Sequence, residues 1–374
     1  MAWRDRAPWS RLGLAAALTA ALASSGCAWW RDVPAYYWQS AAGHLSVMRQ
    51  AQPIDALLAD PATDARLREK LALVVEIRRF ASASLGLPDN GSYLRYADLK
   101  RPFVIWNVFA TPPLSLKLQQ WCFPVAGCVS YRGYYDREQA DAYAQRLRDE
   151  GLEAYVGGVP AYSTLGWFDD PVLNTFIGQP EGELARLVFH ELAHQQLYVK
   201  NDSMFNESFA TTVEQIGVER WLAAREAQGH GSAAREAWQR HAPRRTQFIA
   251  LLKRHREALQ AVYESPLSDA EKLAAKTATF EALRRDYAQL RAEWGGYAGY
   301  DRWFAQPLTN AHLASVSTYT ELVPAFRALL AAQGGDLPRF YAQAAHIGAL
   351  PRPEREAALA ALAGGPSVAH RAGD

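Results

Sequence analysis

His190, Glu191 and His194 stand together in the pentapeptide HELAH. Four residues apart on a helix, the two imidazoles share a face and can reach one divalent ion. Glu191, beside the first histidine, then lies next to a water on that ion rather than on the ion itself, which is the arrangement that activates water for hydrolysis. The bland alternative is a pair of surface histidines on a solvated helix, and the residues that follow weigh against it. A zinc ion with two histidines needs a third protein ligand and one open position. Glu207 is the candidate, because its surroundings, FNESFA, are too apolar for an ordinary solvated turn. Its bland role would be that of an acid favoured near a helix N-terminus. Glu214 lies two helical turns beyond Glu207 on the same face, where it can accept a hydrogen bond from a ligand imidazole or simply face solvent.

These side chains require two helices. The first starts near Pro180, carries Leu184, Leu187, Val188 and Leu192 as its apolar positions, and ends at the polar break Lys200-Asn201-Asp202. Ser203 is the expected cap of a second helix from Met204 to about Ala224. A short turn between them makes an antiparallel pair and returns Glu207 towards the histidines. Upstream, 29–50 and 62–85 have helical spacing, while FVIWNVFA from Phe103 and CVSYRGYY read as strands. Asp136 to Glu150 reads as a helix and LEAYVGGVPAYSTLGW as strands with glycine turns, so a small sheet precedes the HELAH helix. Downstream, charged helices over 246–259 and 268–294 form a hairpin interrupted at Gly295 and Gly296, followed by TNAHLASVSTYTELVPAF.

HELAH followed by NESFATTVE resembles the gluzincin metallopeptidases, and especially the aminopeptidases whose third ligand lies in a W-L-N-E-G-F-A motif. Asn206, Glu207, Phe209 and Ala210 match that motif, and Glu214 falls where those enzymes carry another glutamate. Two departures stand out: the twelve residues between His194 and Glu207 are fewer than usual there, and the G-x-M-E-N signature that recognises a free amine is absent. More closely, the chain resembles a bacterial family of lipoprotein aminopeptidases, in VGGVPAYSTLGWF, HELAHQ, FNESFA and NAHLASVSTY. The resemblance implies a zincin-like core, one zinc ion on His190, His194 and Glu207, and Glu191 as general base. It also implies a substrate held against an edge strand upstream of the HELAH helix, for which Ala161, Tyr162, Ser163 and Thr164 in AYSTLG are the candidates, although the run also suits an ordinary core strand. Finally it implies a second electrophile for the oxyanion. Tyr319 is the choice, with His312 seven residues earlier, and Tyr162 and Tyr198 are rivals.

Residues 1–27 read as a targeting segment: Arg4, Arg6 and Arg11, then an apolar run from Leu12 to Ala23 too short to span a bilayer, then LASSGC. The last resembles a bacterial lipobox with Cys27 as the lipidated residue, with a plain secretory signal as the alternative. Ala28 then favours the periplasmic side of the outer membrane, to which the lipid would tether the protein. Of three cysteines, Cys122 and Cys128 remain, and an oxidising compartment permits a disulfide between them or leaves two buried thiols. Forty basic and thirty-nine acidic residues nearly cancel and no basic block appears, which excludes a nucleic-acid partner. The expected fold is α+β, predominantly helical. After the signal at 1–27 comes one domain over 28–365, with N-terminal helices 28–100, a sheet and metal-site core 101–226 and a helical region 227–365, then a tail at 366–374. The expected function is zinc-dependent peptide hydrolysis, as an aminopeptidase. A periplasmic endopeptidase on cell-wall or envelope peptides and a non-catalytic zinc-binding lipoprotein are the competing readings.

Overall fold

In the computed structural model, Pro180 opens α5 (Glu181–Gln196), with Glu181 and Glu183 in a first turn whose dipole favours them. The model describes residues 34–123, 127–316 and 321–364. Leu184, Leu187, Val188, Phe189 and Leu192 form the buried face of α5. The helix ends at Gln196, short of the break expected at Lys200. The reason is Asn206, whose side-chain amide takes both the N–H and the carbonyl of Val199, at 2.7 and 2.8 Å, and so replaces the helical partners of that turn. Asp202, rather than Ser203, caps α6 (Ser203–Ala227) by accepting from the Phe205 N–H at 3.0 Å.

α6 runs antiparallel along α5, and α3 (Ala65–Leu85) packs on both. Gly217 sits where the three meet. A Cβ there would lie 2.7 Å from Phe189 and 2.9 Å from Leu85, so only glycine lets the helices approach this closely. Phe205 and Phe209 on the far side of α6 pack against Phe326 and Phe340, from α11 (Val323–Ala332) and α12 (Leu337–Ala349).

Three strands, β6 (Arg132–Tyr134), β3 (Ile105–Thr111) and β7 (Glu153–Val159), form an antiparallel sheet in that order, with α4 (Arg137–Asp149) packed on it. β7 is an edge strand of this sheet. A second small sheet joins β1 (Gln52–Pro53), β2 (Arg95–Ala97) and β8 (Val172–Leu173). A hairpin of β4 (Trp121–Phe123) and β5 (Gly127–Val129) is closed by a disulfide between Cys122 and Cys128, which face each other in its register.

The strand expected over Ala161–Gly166 is not one. Pro160, with no N–H to donate, ends β7, and the next residues bond locally. The Thr164 N–H donates to Asp170, the Leu165 N–H to the Ser163 hydroxyl, and the Phe168 N–H to the Thr164 hydroxyl.

α7 (Ser232–Glu264) and α8 (Asp269–Glu293) make the long hairpin. α7 begins well before Thr246 and passes through Pro243. Arg244 and Arg245, immediately after the proline, anchor it, the first to the Trp294 carbonyl and the second to Glu214. A capping box of Ser268 and Glu271 starts α8. With α9 (Asp301–Phe304) and α10 (Asn310–Val316) the hairpin encloses its own apolar core, centred on Phe248, Leu259, Leu283 and Leu313. The result is an α+β fold in which helices predominate. A helix over 34–50 lies mostly in a separate unit, residues 1–49. Among the described residues no helix is long and apolar enough to cross a membrane. The segment read as a targeting signal, with Cys27, and the expected tail at 366–374 lie outside the described residues.

Candidate metal centre

The antiparallel packing of α5 on α6 sets Glu207 against both His190 and His194, and Glu214 against the far side of the His190 ring. The Nε2 atoms of His190 and His194 are 3.1 Å apart, and the Glu207 carboxylate lies 3.4 Å from the first and 3.7 Å from the second. Donors about 2.0–2.1 Å from one zinc at tetrahedral angles are separated by roughly 3.3 Å. The three edges bracket that value. These residues are the one group among those described whose histidine, cysteine and carboxylate atoms converge as a metal site does.

In the metal-free protein burial opposes charge on His190, yet Glu207 and Glu214 hold it up to about 10. Burial and that same charged ring push His194 down to about 4. One proton therefore serves where a divalent ion would satisfy all three donors. The donor set, two imidazoles and a carboxylate, suits zinc.

Glu214 is wholly buried and holds the first of the two imidazoles. Its Oε2 lies 2.9 Å from His190 Nδ1, and it accepts from Arg186 at 3.0 Å and from Arg245 at 2.9 Å. Against the cost of burial these two guanidinium groups hold its carboxyl well below the usual range. Glu183, one turn before Arg186, bonds that arginine at 2.8 Å and completes the network. The second imidazole has no such support, since His194 Nδ1 is buried and has no partner among the described residues. Arg186 could have been read from sequence, being four residues before His190 on one face. Arg245 could not, because it arrives from another helix just past a proline.

Glu191 borders the same cavity, of about 600 Å³, as His190 and Glu207. Burial pushes its carboxyl up to about 7, against the charge on His190 and with the help of Glu207 and Asp170. Val159, Pro160 and Ala161, where the chain leaves β7, form one wall, and Arg245, Phe248 and Ile249 of α7 form another. Of the four residues chosen as a substrate strand, Ala161 thus reaches the cavity, whereas Tyr162, Ser163 and Thr164 do not line it and belong to the local turn. His312 is placed elsewhere. Its ring lies on Tyr155, 3.7 Å between centroids, and it lines a different cavity that shares no residue with the first. Val316, one turn later on α10, is the residue of that helix that reaches the metal-site cavity. Tyr319 lies outside the described residues. Of its rivals, Tyr198 is half exposed and feels the charge of Glu207, while Tyr162 packs edge-on against Tyr135.

Residues 35–359 match the profile of a family described as "Putative aminopeptidase". The match spans most of the chain, which therefore belongs to that family, and peptidase chemistry is the class of function the membership supports. No curated protein and no solved structure matches the chain.

Proposed function

We propose that this member of the aminopeptidase family is a gluzincin-type zinc peptidase that trims peptides from the amino end. The observation that carries the reading is the convergence of His190, His194 and Glu207 at tetrahedral spacings, with Glu191 on the same cavity wall. Zinc held by these three residues supplies Lewis acidity to the scissile carbonyl and to the attacking water. The chain's own groups do the rest. Glu214 accepts from His190 Nδ1–H and so fixes the tautomer that presents Nε2 to the ion. Arg186 and Arg245 keep Glu214 ionised. Glu191, held near neutrality by burial, takes the proton of the attacking water and returns it to the departing amine nitrogen.

One observation favours endopeptidase action as the second reading. Apart from Glu191 and Glu207, the carboxylate on the cavity wall is Glu183, and it is already paired with Arg186. No unpaired acid among the described lining residues is left to meet a substrate's ammonium group. The cellular setting we propose is the periplasmic face of the outer membrane, through lipid on Cys27, on the strength of the amino-terminal segment ending in LASSGC. The test is incubation of the zinc-loaded soluble fragment with a mixed peptide library, read by mass spectrometry. Single-residue loss from amino ends supports the aminopeptidase, internal cuts replace it with the endopeptidase, and no cuts leave a non-catalytic zinc protein.

A further inference from the structure

The cavity that holds His190, Glu191 and Glu207 has an apolar lining that no step of the hydrolysis uses. It comes from the end of β7, from Leu187 of α5, from Phe248 and Ile249 of α7 and from Val316 of α10. The Phe248 ring stacks on that of Tyr300, 3.9 Å between centroids and 12° between planes, and both border the cavity. Separate stretches of chain thus bring carbon to the place where α5 and α6 bring polar atoms.

Ile249 differs from its neighbours on α7. Phe248, Leu251 and Leu252 are buried in the core of the helical hairpin, whereas Ile249 is only half-buried. It borders the metal-site cavity and two others, of about 380 and 160 Å³. A branched apolar side chain kept at such a junction leaves surface in water that a bound apolar group would cover.

The charges on the wall leave nothing for a charged substrate side chain. Apart from His190, Glu191 and Glu207, the charged residues described there are Glu183, Arg186 and Arg245. Glu183 bonds Arg186 at 2.8 Å, and Arg186 and Arg245 both bond Glu214, at 3.0 and 2.9 Å. Two anions and two cations satisfy one another. A lysine or glutamate side chain entering the cavity would lose water and meet no uncompensated opposite charge. Leucine or phenylalanine would exchange water for carbon.

We infer that the metal-site cavity selects peptides with a large apolar residue beside the scissile bond, and that Ile249 is a specificity-determining residue for them. The occupant follows from the position of the cavity. Its walls include His190, Glu191 and Glu207, so the side chain that enters it is carried by a residue next to the bond being cut. The inference rests on the reading of His190, His194 and Glu207 as zinc ligands.

The experiment uses the zinc-loaded protein and reads binding by calorimetry, without turnover. The probes are the hydroxamates of leucine, phenylalanine, glutamate and lysine, which share one zinc-chelating group and differ in side chain. The leucine and phenylalanine probes are expected to bind about tenfold or more tighter than the other two. Ile249→Asp, which removes apolar surface and adds an anion, should narrow the preference for leucine over lysine about tenfold. Should that variant fold poorly, Ile249→Val removes one methyl group and should weaken leucine relative to glutamate about fourfold. Equal affinity for all four probes, with zinc in place, overturns the inference, as does an Ile249 substitution that changes all four by one factor. A protein that takes up no zinc removes the metal-centre reading and the inference with it. If the probes bind in the expected order but no peptide is cleaved, the peptidase reading fails while the preference of the cavity stands.

Discussion

The His190 ring and the Glu214 carboxylate are 2.9 Å apart, and the carboxylate is wholly buried between Arg186 and Arg245. A ring that converges with His194 and Glu207 is thus held by an anion that is itself held by two cations from different helices. Glu214→Gln keeps the shape but removes the charge that aligns the imidazole and balances the arginines. Zinc affinity should fall about 10–100-fold, as such supporting groups commonly contribute. Glu214→Ala should also cost stability, about 3–5 kcal/mol, because it leaves guanidinium groups without their buried partner. Chelator competition and urea unfolding measure the two effects. Unchanged zinc affinity in Glu214→Gln would remove the supporting role.

Glu191 and Glu207 face one cavity but are predicted to separate cleanly on substitution. Glu191→Gln should bind zinc as the native chain does and lose about 10²–10⁴ in kcat, the range of general base catalysis. Glu207→Gln should lose zinc itself, since it removes one of three ligands. Metal analysis after dialysis, alongside turnover, distinguishes them. Zinc loss from Glu191→Gln, or zinc retained in full by Glu207→Gln, would reverse the assignments.

How far the molecule could be read from its sequence follows from how local each feature is. The convergence of His190, His194 and Glu207 was legible because helical spacing fixes His190 against His194, and a short turn returns Glu207 to them. The start of α8 was legible because its capping box is four consecutive residues. The turn after β7 was not, because Tyr162 and Thr164 suit a strand and only the side chains of Ser163, Thr164 and Asp170 divert the chain. The start of α7 was not legible either. The helix expected from Thr246 begins at Ser232 and runs through Pro243, and the residues that tie it down just beyond that proline, Arg244 and Arg245, bond groups 50 and 31 positions away. Asp170 carries no periodic signal at all, since it sits in an irregular segment.

Gly217 should tolerate no side chain. Alanine there gains up to about 1 kcal/mol in helix propensity but pushes a methyl into Phe189 and Leu85, and overpacking of this kind costs about 1–3 kcal/mol. Phe189 immediately precedes His190, so the strain falls on the ligand helix. Gly217→Ala is therefore expected to lower both the melting temperature and zinc affinity. A variant as stable as the native protein would show that α5 and α6 can part without cost.

Asp170 supplies a pH-dependent prediction with a definite sign. Burial raises its carboxyl from 3.8 to about 6, against the hydrogen bonds from Thr164 and Ser163. A carboxyl whose folded-state pKa lies above its unfolded value binds more protons when folded, so stability falls as pH rises between about 4 and 6. Below that window both states are protonated and no cost remains; above it the full cost stands. Asparagine keeps an acceptor for the Thr164 N–H and never ionises. Asp170→Asn should therefore be more stable than the native chain at pH 8 by about 2 kcal/mol, with the gap closing as pH approaches 4. Urea unfolding of the two proteins at both pH values measures it, and the difference between them cancels what the metal ligands contribute to each. A gap that is absent at pH 8, or that does not change with pH, would mean that Asp170 is ionised in the fold at little cost. The buried charge would then be better compensated than its unpaired Oδ1 indicates.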